Sequence, residues 1–101
     1  PIKFNVMHTP GHRFDSICLL YKNHLFTSDT LFVRGCGRVD FPGSNPEVMV
    51  KTLERIKHLP NEITIYPGHD YGISETSTIK EEKKYNPFLN MTKEEFLRNR
   101  T

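Results

Sequence analysis

Three side chains of types that bind metal ions stand in tight turns of this sequence: His12, Asp29 and His69. Each follows a short apolar run, and both histidines directly follow a Pro-Gly pair, which turns the backbone sharply and presents the next side chain at a strand end. Neutral imidazole and carboxylate are ligands that Zn²⁺ and Fe²⁺ accept. The pattern predicts a metal centre assembled from three loops, although Asp29 by itself is equally typical of a residue that caps a turn.

Apolar runs and turn residues predict the elements that position these loops. Strands are predicted at 2–7, 16–21, 24–27 and 62–66, with a short apolar piece at 31–33 and a loop at 34–45. Helices are predicted at 46–59 after a cap at Asn45 or Ser44, at 77–85, and from a capping box at Thr92 onward. This order predicts a single domain, residues 1–101, of the α/β (α+β) class, with helices on one face of a sheet.

Composition excludes several classes of function. The 101 residues carry a formal net charge of +2 with basic and acidic residues interleaved, which argues against a nucleic-acid surface, and the alternating charges of 80–84 predict a solvent-exposed helix face. No apolar run reaches the roughly 20 residues that span a membrane. No secretory signal is visible, although Pro1 suggests a trimmed amino terminus. Cys18 and Cys36 give no support for a disulfide, so we expect a reducing, cytoplasmic location.

Four motifs and a tail, read together, resemble the metallo-β-lactamase superfamily. The motifs are His-Thr-Pro-Gly-His at 8–12, Phe-Thr-Ser-Asp-Thr-Leu-Phe at 26–32, Gly-Cys-Gly-Arg-Val-Asp-Phe-Pro-Gly at 35–43 and Tyr-Pro-Gly-His-Asp-Tyr-Gly at 66–72. The tail is Ser-Thr-Ile-Lys-Glu-Glu-Lys at 77–83, followed by Asn-Pro-Phe-Leu at 86–89. They cover nearly the whole chain in the family's order, and they are most similar to the glyoxalase II-like hydrolases and persulfide dioxygenases.

The resemblance implies a role for each metal-type side chain. In the hydrolases, the residue matching His12 binds the first metal, the one matching Asp29 bridges both metals and is the catalytic candidate here, and the one matching His69 binds the second. In the dioxygenases a single iron uses the equivalents of His12 and Asp29 with a histidine from further upstream. One or two zinc ions are therefore expected, with iron as the alternative. The family's His-x-His-x-Asp-His motif does not occur in this chain.

Two further departures from the family pattern concern residues beside the expected ligands. Residues 13–15 are Arg-Phe-Asp where the family usually has Thr-Pro-Gly, and Arg13 adds a cation next to an expected cation site. Ser28 replaces the usual glycine before Asp29. If that position needs a positive φ angle, serine costs roughly 1–2 kcal/mol there.

Four other residues are candidates for supporting or substrate-binding roles. His8 is either a hydrogen-bond partner of a ligand or a residue that ends a strand. Arg38 either pairs with Asp40 and braces the glycine loop, which we favour, or faces an anionic substrate. Asp70 either orients His69 or caps the following turn, and we favour the turn.

The resemblance implies half of a four-layered αβ/βα sandwich, the carboxy-terminal half, with a mostly antiparallel sheet. Its inner face would need a covering partner, which is a missing amino-terminal half, another copy or a swapped strand. The implied function is a metal-dependent hydrolase of a small-molecule thioester or glutathione-type substrate, with little turnover by this chain alone. The alternatives are a persulfide dioxygenase-like iron enzyme and a catalytically silent interaction domain.

Overall fold

A computed structural model describes residues 3–70 and 72–100, with only the backbone at 99 and 100. Within these residues, seven strands, three α-helices and one 3₁₀ turn follow one another. They are β1 (Asn5–His8), β2 (Ile17–Tyr21), β3 (His24–Ser28), β4 (Leu31–Phe32), β5 (Gly35–Cys36), α1 (Pro46–Lys57), β6 (Thr64–Pro67), β7 (Ser77–Thr78), α2 (Ile79–Tyr85), the 3₁₀ turn (Pro87–Leu89) and α3 (Lys93–Arg100). Ile2 of the predicted first strand and Tyr71 of the last motif lie outside the described residues.

Five strands form one sheet in the order β1-β2-β3-β6-β7. The pairs β1–β2, β2–β3 and β6–β7 are antiparallel, and β3 and β6 pair in parallel. The sheet is therefore mostly antiparallel, and with the three helices it confirms the predicted α/β class.

Strand directions bring three loops to one edge of the sheet. Because β1 and β3 are each antiparallel to β2, they run in the same direction, and β6 runs parallel to β3. The carboxyl ends of β1, β3 and β6 therefore lie at the same edge, where loops of such sheets commonly carry binding sites. The loops leaving those ends contain His12, Asp29 and His69.

Side chains at the start of the helices explain where they begin. The Asn45 side chain accepts a hydrogen bond from the Val48 N–H at 3.1 Å, which identifies it as the cap of α1. In α3, the Glu95 N–H donates to Thr92 Oγ1 at 3.2 Å while the Glu95 carboxylate accepts from the Thr92 N–H at 3.0 Å, as the predicted capping box requires. This pairing also lowers the pKa of Glu95.

Three boundary predictions were wrong. The predicted loop at 34–45 contains β5, which pairs with β4 as a hairpin because Arg34, at φ 64°, turns the chain back. The predicted helix at 77–85 begins later, since Ser77 and Thr78 form β7 and the Thr78 side chain caps α2. Helix α1 ends at Lys57, with the backbone N–H of His58 donating to carbonyls of the last turn.

All three helices contribute to a core on one face of the sheet. Buried strand residues Cys18, Leu25 and Ile65 belong to the same apolar cluster as residues of α1, α2 and α3. Among the described residues, no helix combines the length and apolar character needed to cross a membrane.

The opposite face of the sheet carries apolar side chains without a covering layer of helices. Phe4, Val6, Ile17 and Phe26 are 45%, 64%, 41% and 39% exposed, and Phe26 stacks on Tyr66 with ring centroids 5.0 Å apart. We call this surface the open face. The first strand is therefore less buried than its alternating pattern predicts, because the apolar residues Phe4 and Val6 lie on the open face.

One charged residue contradicts the predicted solvent-exposed face of α2. Glu82 has no exposed surface, and its carboxylate accepts from the Arg34 guanidinium at 2.5 Å and from the Arg34 backbone N–H at 2.7 Å. The Ser77 hydroxyl and the Asn86 amide donate to the same carboxylate, at 2.6 and 2.9 Å. Four donors compensate for the loss of water around this carboxylate, and they tie α2 to the β4–β5 hairpin.

Candidate metal centre

The carboxylate of Asp29 lies at the centre of the candidate site. Its Oδ1 accepts a hydrogen bond from His69 Nδ1 at 2.7 Å, and its Oδ2 lies 4.0 Å from His12 Nε2. The exposed fraction of the side chain rises from 16% for His12 to 38% for Asp29 and 50% for His69. The structure thus brings the three predicted ligands together around one carboxylate, on a side of the site that remains open.

The ring of His12 is oriented by a backbone carbonyl. His12 Nδ1 lies 2.8 Å from the carbonyl oxygen of Arg38, and because a carbonyl can only accept, Nδ1 carries the proton. In the neutral ring, which a metal ion binds, the lone pair is then on Nε2, the nitrogen that faces Asp29. This arrangement, in which one ring nitrogen donates to a protein acceptor and the other is left to bind, is the usual support of a metal-binding histidine.

Two glycines allow the backbone and side chains of the site to approach one another. A Cβ at Gly37 would lie 2.0 Å from the Asp29 carbonyl oxygen and 2.9 Å from His12 Nδ1. A Cβ at Gly68 would lie 3.0 Å from Asp29 Oδ1. Neither glycine is among the predicted site residues, although the Gly-Cys-Gly and Pro-Gly-His motifs that contain them were the available signal.

Ser28, the residue that replaces a family glycine, has a φ angle of 49°. Because this φ angle is positive, serine adopts the left-handed conformation here, at a cost of roughly 1–2 kcal/mol. Its carbonyl oxygen accepts from the Gly68 N–H at 2.8 Å, which joins the loops after β3 and β6. The strained turn thus places Asp29 beside the loop that carries His69.

Arg38 and Asp40 form a two-point ion pair at the rim of the site. Arg38 Nε and Nη2 donate to the two carboxylate oxygens of Asp40 at 2.9 and 3.2 Å. Asp40 raises the pKa of Arg38, chiefly through these hydrogen bonds and then through its charge. The arginine side chain braces the glycine loop, and its backbone carbonyl holds His12.

The other two supporting candidates lie apart from the three ligands. His8 Nε2 hydrogen-bonds to the Phe14 carbonyl at 2.7 Å, and the His8 carbonyl accepts from Arg55 at 2.6 Å, so His8 braces the loop that leads away from His12. Asp70 is exposed. Within residues 3–70 and 72–100, the Asp29 carboxylate is hydrogen-bonded or ion-paired to His12 and His69, and to neither His8 nor Asp70.

The three predicted ligands surround a cavity of about 130 Å³. Its wall consists of His12, Asp29, Phe32, Gly37, Arg38 and His69. The volume is below the roughly 300–1,000 Å³ typical of a ligand pocket. The cavity therefore accommodates part of a ligand at most.

The donor set fits part of a metal site. Two ligands about 2.1 Å from one ion are roughly 3.4 Å apart at the tetrahedral angle, so His12 Nε2 and Asp29 Oδ2, at 4.0 Å, need only a small closure to share one. Within residues 3–70 and 72–100, no three His, Cys, Asp or Glu side chains already form a group that could hold an ion. The three side chains therefore match part of a metal ligand set, and the His69–Asp29 hydrogen bond already joins two of them.

Comparison with known proteins agrees with this fold. The model of the metallo-beta-lactamase superfamily matches residues 1–69, more than half of the chain. This protein therefore belongs to the metallo-β-lactamase superfamily.

Individual relatives differ in their named activities. The chain is 37% identical over 89 residues to a probable polyketide biosynthesis zinc-dependent hydrolase of Bacillus subtilis, covering 87% of this chain and 40% of that protein. It is 38% identical over 93 residues to the human mitochondrial persulfide dioxygenase ETHE1, covering 89% of this chain and 37% of that one. The chain thus spans about two fifths of the length of these relatives.

A solved structure supports the fold directly. The crystal structure of ETHE1 from Myxococcus xanthus superposes with a TM-score of 0.88 at 43% sequence identity, over 94% of this chain and 43% of that one. The sheet, the helices and the loops at their shared edge are therefore those of the superfamily.

Proposed function

We propose that this chain contributes His12, Asp29 and His69 to the metal centre of a hydrolase that acts on a small-molecule thioester of the hydroxyacylglutathione type. The observation that carries the proposal is the Asp29 carboxylate between two imidazole rings, one of which has its lone pair directed at it by the Arg38 carbonyl. A bound metal ion would lower the pKa of a water molecule toward neutrality and polarise the thioester carbonyl.

Each residue then has a separate task. His12 and His69 are the neutral nitrogen ligands, and Asp29 is the catalytic carboxylate that would bridge two ions. Gly37 and Gly68 keep the loops close enough for this arrangement, and the carbonyl of Arg38 keeps the His12 ring in its binding tautomer. We infer that the metal is zinc, in agreement with the zinc-dependent hydrolase among the relatives.

Iron-dependent persulfide oxidation is the second candidate, because the human persulfide dioxygenase matches this chain as closely as the hydrolase does. That reaction would use His12 and Asp29 on one iron. Metal content after substitution of His69 distinguishes the two candidates. One bound iron that is retained in the variant would favour the dioxygenase, whereas two bound zinc ions of which one is lost would favour the hydrolase.

The other ligands of the proposed metal centre have to come from residues other than His12, Asp29 and His69. We propose that the open face packs against an amino-terminal half of the fold that carries His-x-His-x-Asp-His, with a second copy of this chain as the alternative. The exposed Phe4 and Val6 and the two-fifths coverage of the relatives support this. A monomer with a full-length relative's complete activity would contradict it. Cys18 and Cys36 are both buried, and the sequence gives no support for a disulfide between them, so we also infer a cytoplasmic location.

Metal binding by the chain tests the proposal. Zinc binding is measured by competition with a chromophoric chelator for the wild type, for His12→Ala and for His58→Ala, an exposed histidine on α1's carboxyl end that serves as the control. We expect weak zinc binding, at least tenfold weaker in His12→Ala and unchanged in His58→Ala. No zinc binding by the wild type, with no effect of chelator on its unfolding, would instead favour a catalytically silent interaction domain.

A further inference from the structure

Two arginines approach the same aromatic ring at the rim of the site. The guanidinium carbon of Arg13 lies 5.3 Å from the ring centroid of Phe41, and that of Arg38 lies 5.8 Å from it. The Phe41 ring also meets the His12 ring edge-on, with centroids 5.2 Å apart. Phe41 thus links both cations to the proposed metal ligand His12.

The charges of the two arginines are not equally compensated. Both oxygens of the Asp40 carboxylate are bound to Arg38. Within the part of the chain that the structure describes, no carboxylate forms an ion pair with Arg13, including its near neighbour Asp15. Of the two arginines at Phe41, Arg13 is therefore the one whose charge no ion pair compensates within the described residues.

Contact with Phe41 restrains this charge without using its hydrogen-bond donors. A guanidinium over an aromatic face is stabilised by the ring, while its N–H groups point outward in the plane of the guanidinium and can bind a carboxylate at two points. Arg13 is exposed, so these donors are accessible. An arginine that only braced the loop would be expected to pair as Arg38 does.

We propose that Arg13, held against Phe41, binds a carboxylate of the substrate and so determines specificity for an anionic thioester. The inference rests on the proposed function, because it requires the reacting group to lie at the cavity that His12 lines. Arg13 departs from the family pattern, and the sequence alone suggested that its charge would disturb the metal site. In this proposal the same residue instead contributes to substrate recognition.

The test compares two probes that differ in one charge: S-acetylthioglycolate and its neutral methyl ester. Their binding to the full chain is followed by NMR, with and without zinc, using the Arg13 Nε–H and His12 ring signals. We expect the acid to bind the wild type about five- to tenfold more tightly than the ester, and this preference to be lost in Arg13→Gln.

Lys22→Gln is the matched control, because Lys22 also lies over an aromatic ring, Tyr21 at 5.5 Å, but at the opposite end of β2 and β3. It should keep the preference for the acid. Equal affinities of the wild type for acid and ester would overturn the role of Arg13, as would a preference that survives in Arg13→Gln. A lower free energy of unfolding in Arg13→Gln with the preference intact would show that Arg13 only braces the loop. Zinc binding, measured separately, keeps a failure of the proposed function distinct from each of these results.

Discussion

Replacing Glu82 by glutamine tests whether a buried ion pair holds the hairpin beneath the site. The Glu82 carboxylate is fully buried and accepts four hydrogen bonds, two of them from Arg34 in the turn between β4 and β5. Asp29 precedes this hairpin and Gly37 follows it directly. Loss of the carboxylate charge should therefore loosen the segment that joins these two site residues.

The expected change in the free energy of unfolding follows from the interactions that glutamine removes and those that it keeps. Removing one partner of a buried ion pair costs about 3–5 kcal/mol, but the Arg34 side chain is 25% exposed and keeps a second partner in Glu81 at 3.1 Å. Glutamine also retains one acceptor oxygen. We therefore expect Glu82→Gln to lower the free energy of unfolding by about 2–3 kcal/mol, a large part of the 5–15 kcal/mol typical of a small domain.

Glu81→Gln is the control, because Glu81 pairs with the same arginine while its side chain is 52% exposed. An exposed pair contributes at most about 1 kcal/mol. Urea unfolding of both variants, followed by far-ultraviolet circular dichroism, measures the difference. If the two substitutions lowered the free energy of unfolding equally, the buried carboxylate would not hold the hairpin and the reasoning would be refuted.

Three further predictions concern the backbone and the core. Ser28→Gly should raise the free energy of unfolding by about 0.5–1 kcal/mol, because glycine removes the cost of the positive φ but gains entropy in the unfolded chain; thermal unfolding would show no such gain for Ser28→Ala. Gly37→Ala should lower the free energy of unfolding by about 1–3 kcal/mol and weaken zinc binding, because its Cβ would lie 2.0 Å from the Asp29 carbonyl oxygen. In the control Gly35→Ala, the Cβ would have no neighbour closer than 3.7 Å, so this variant should be nearly neutral in both assays. Burial raises the pKa of the Cys18 thiol, so the folded chain holds a proton that the unfolded chain releases above about pH 8.5. The stabilisation is complete below that pH and is lost as the pH rises through the raised value, so Cys18→Ala should flatten the fall in stability at alkaline pH, and an unchanged profile would contradict this.

Local patterns were sufficient to predict strands at β1, β2, β3 and β6, two helix caps, and the loops that carry the candidate ligands. Pro-Gly before His12 and His69 marks strand ends whatever the remote context, and the caps at Asn45 and Thr92 involve residues within one turn. The convergence of three loops was predicted, whereas the parallel direction of β6 against β3, which places their ends at one edge, was found only in the structure.

Features that depend on remote partners were not predictable. Glu82 belongs to a run of alternating charges, and its burial depends on Arg34, 48 residues away. Strand β5 has a weak strand sequence, Gly-Cys, and exists through its pairing with β4. The need for glycine at position 37 is visible only when the Asp29 backbone lies against it.

The parallel pairing of β3 with β6 has a consequence for the order in which the site forms. The β1–β2–β3 meander brings His12 and Asp29 together through short connections, so these two side chains can meet early in folding. His69 is 40 residues from Asp29 and arrives only after the chain has crossed over through α1 and closed that long loop, which carries a larger entropic cost. The candidate metal centre is therefore completed late, and the His69–Asp29 hydrogen bond reports that the crossover has closed.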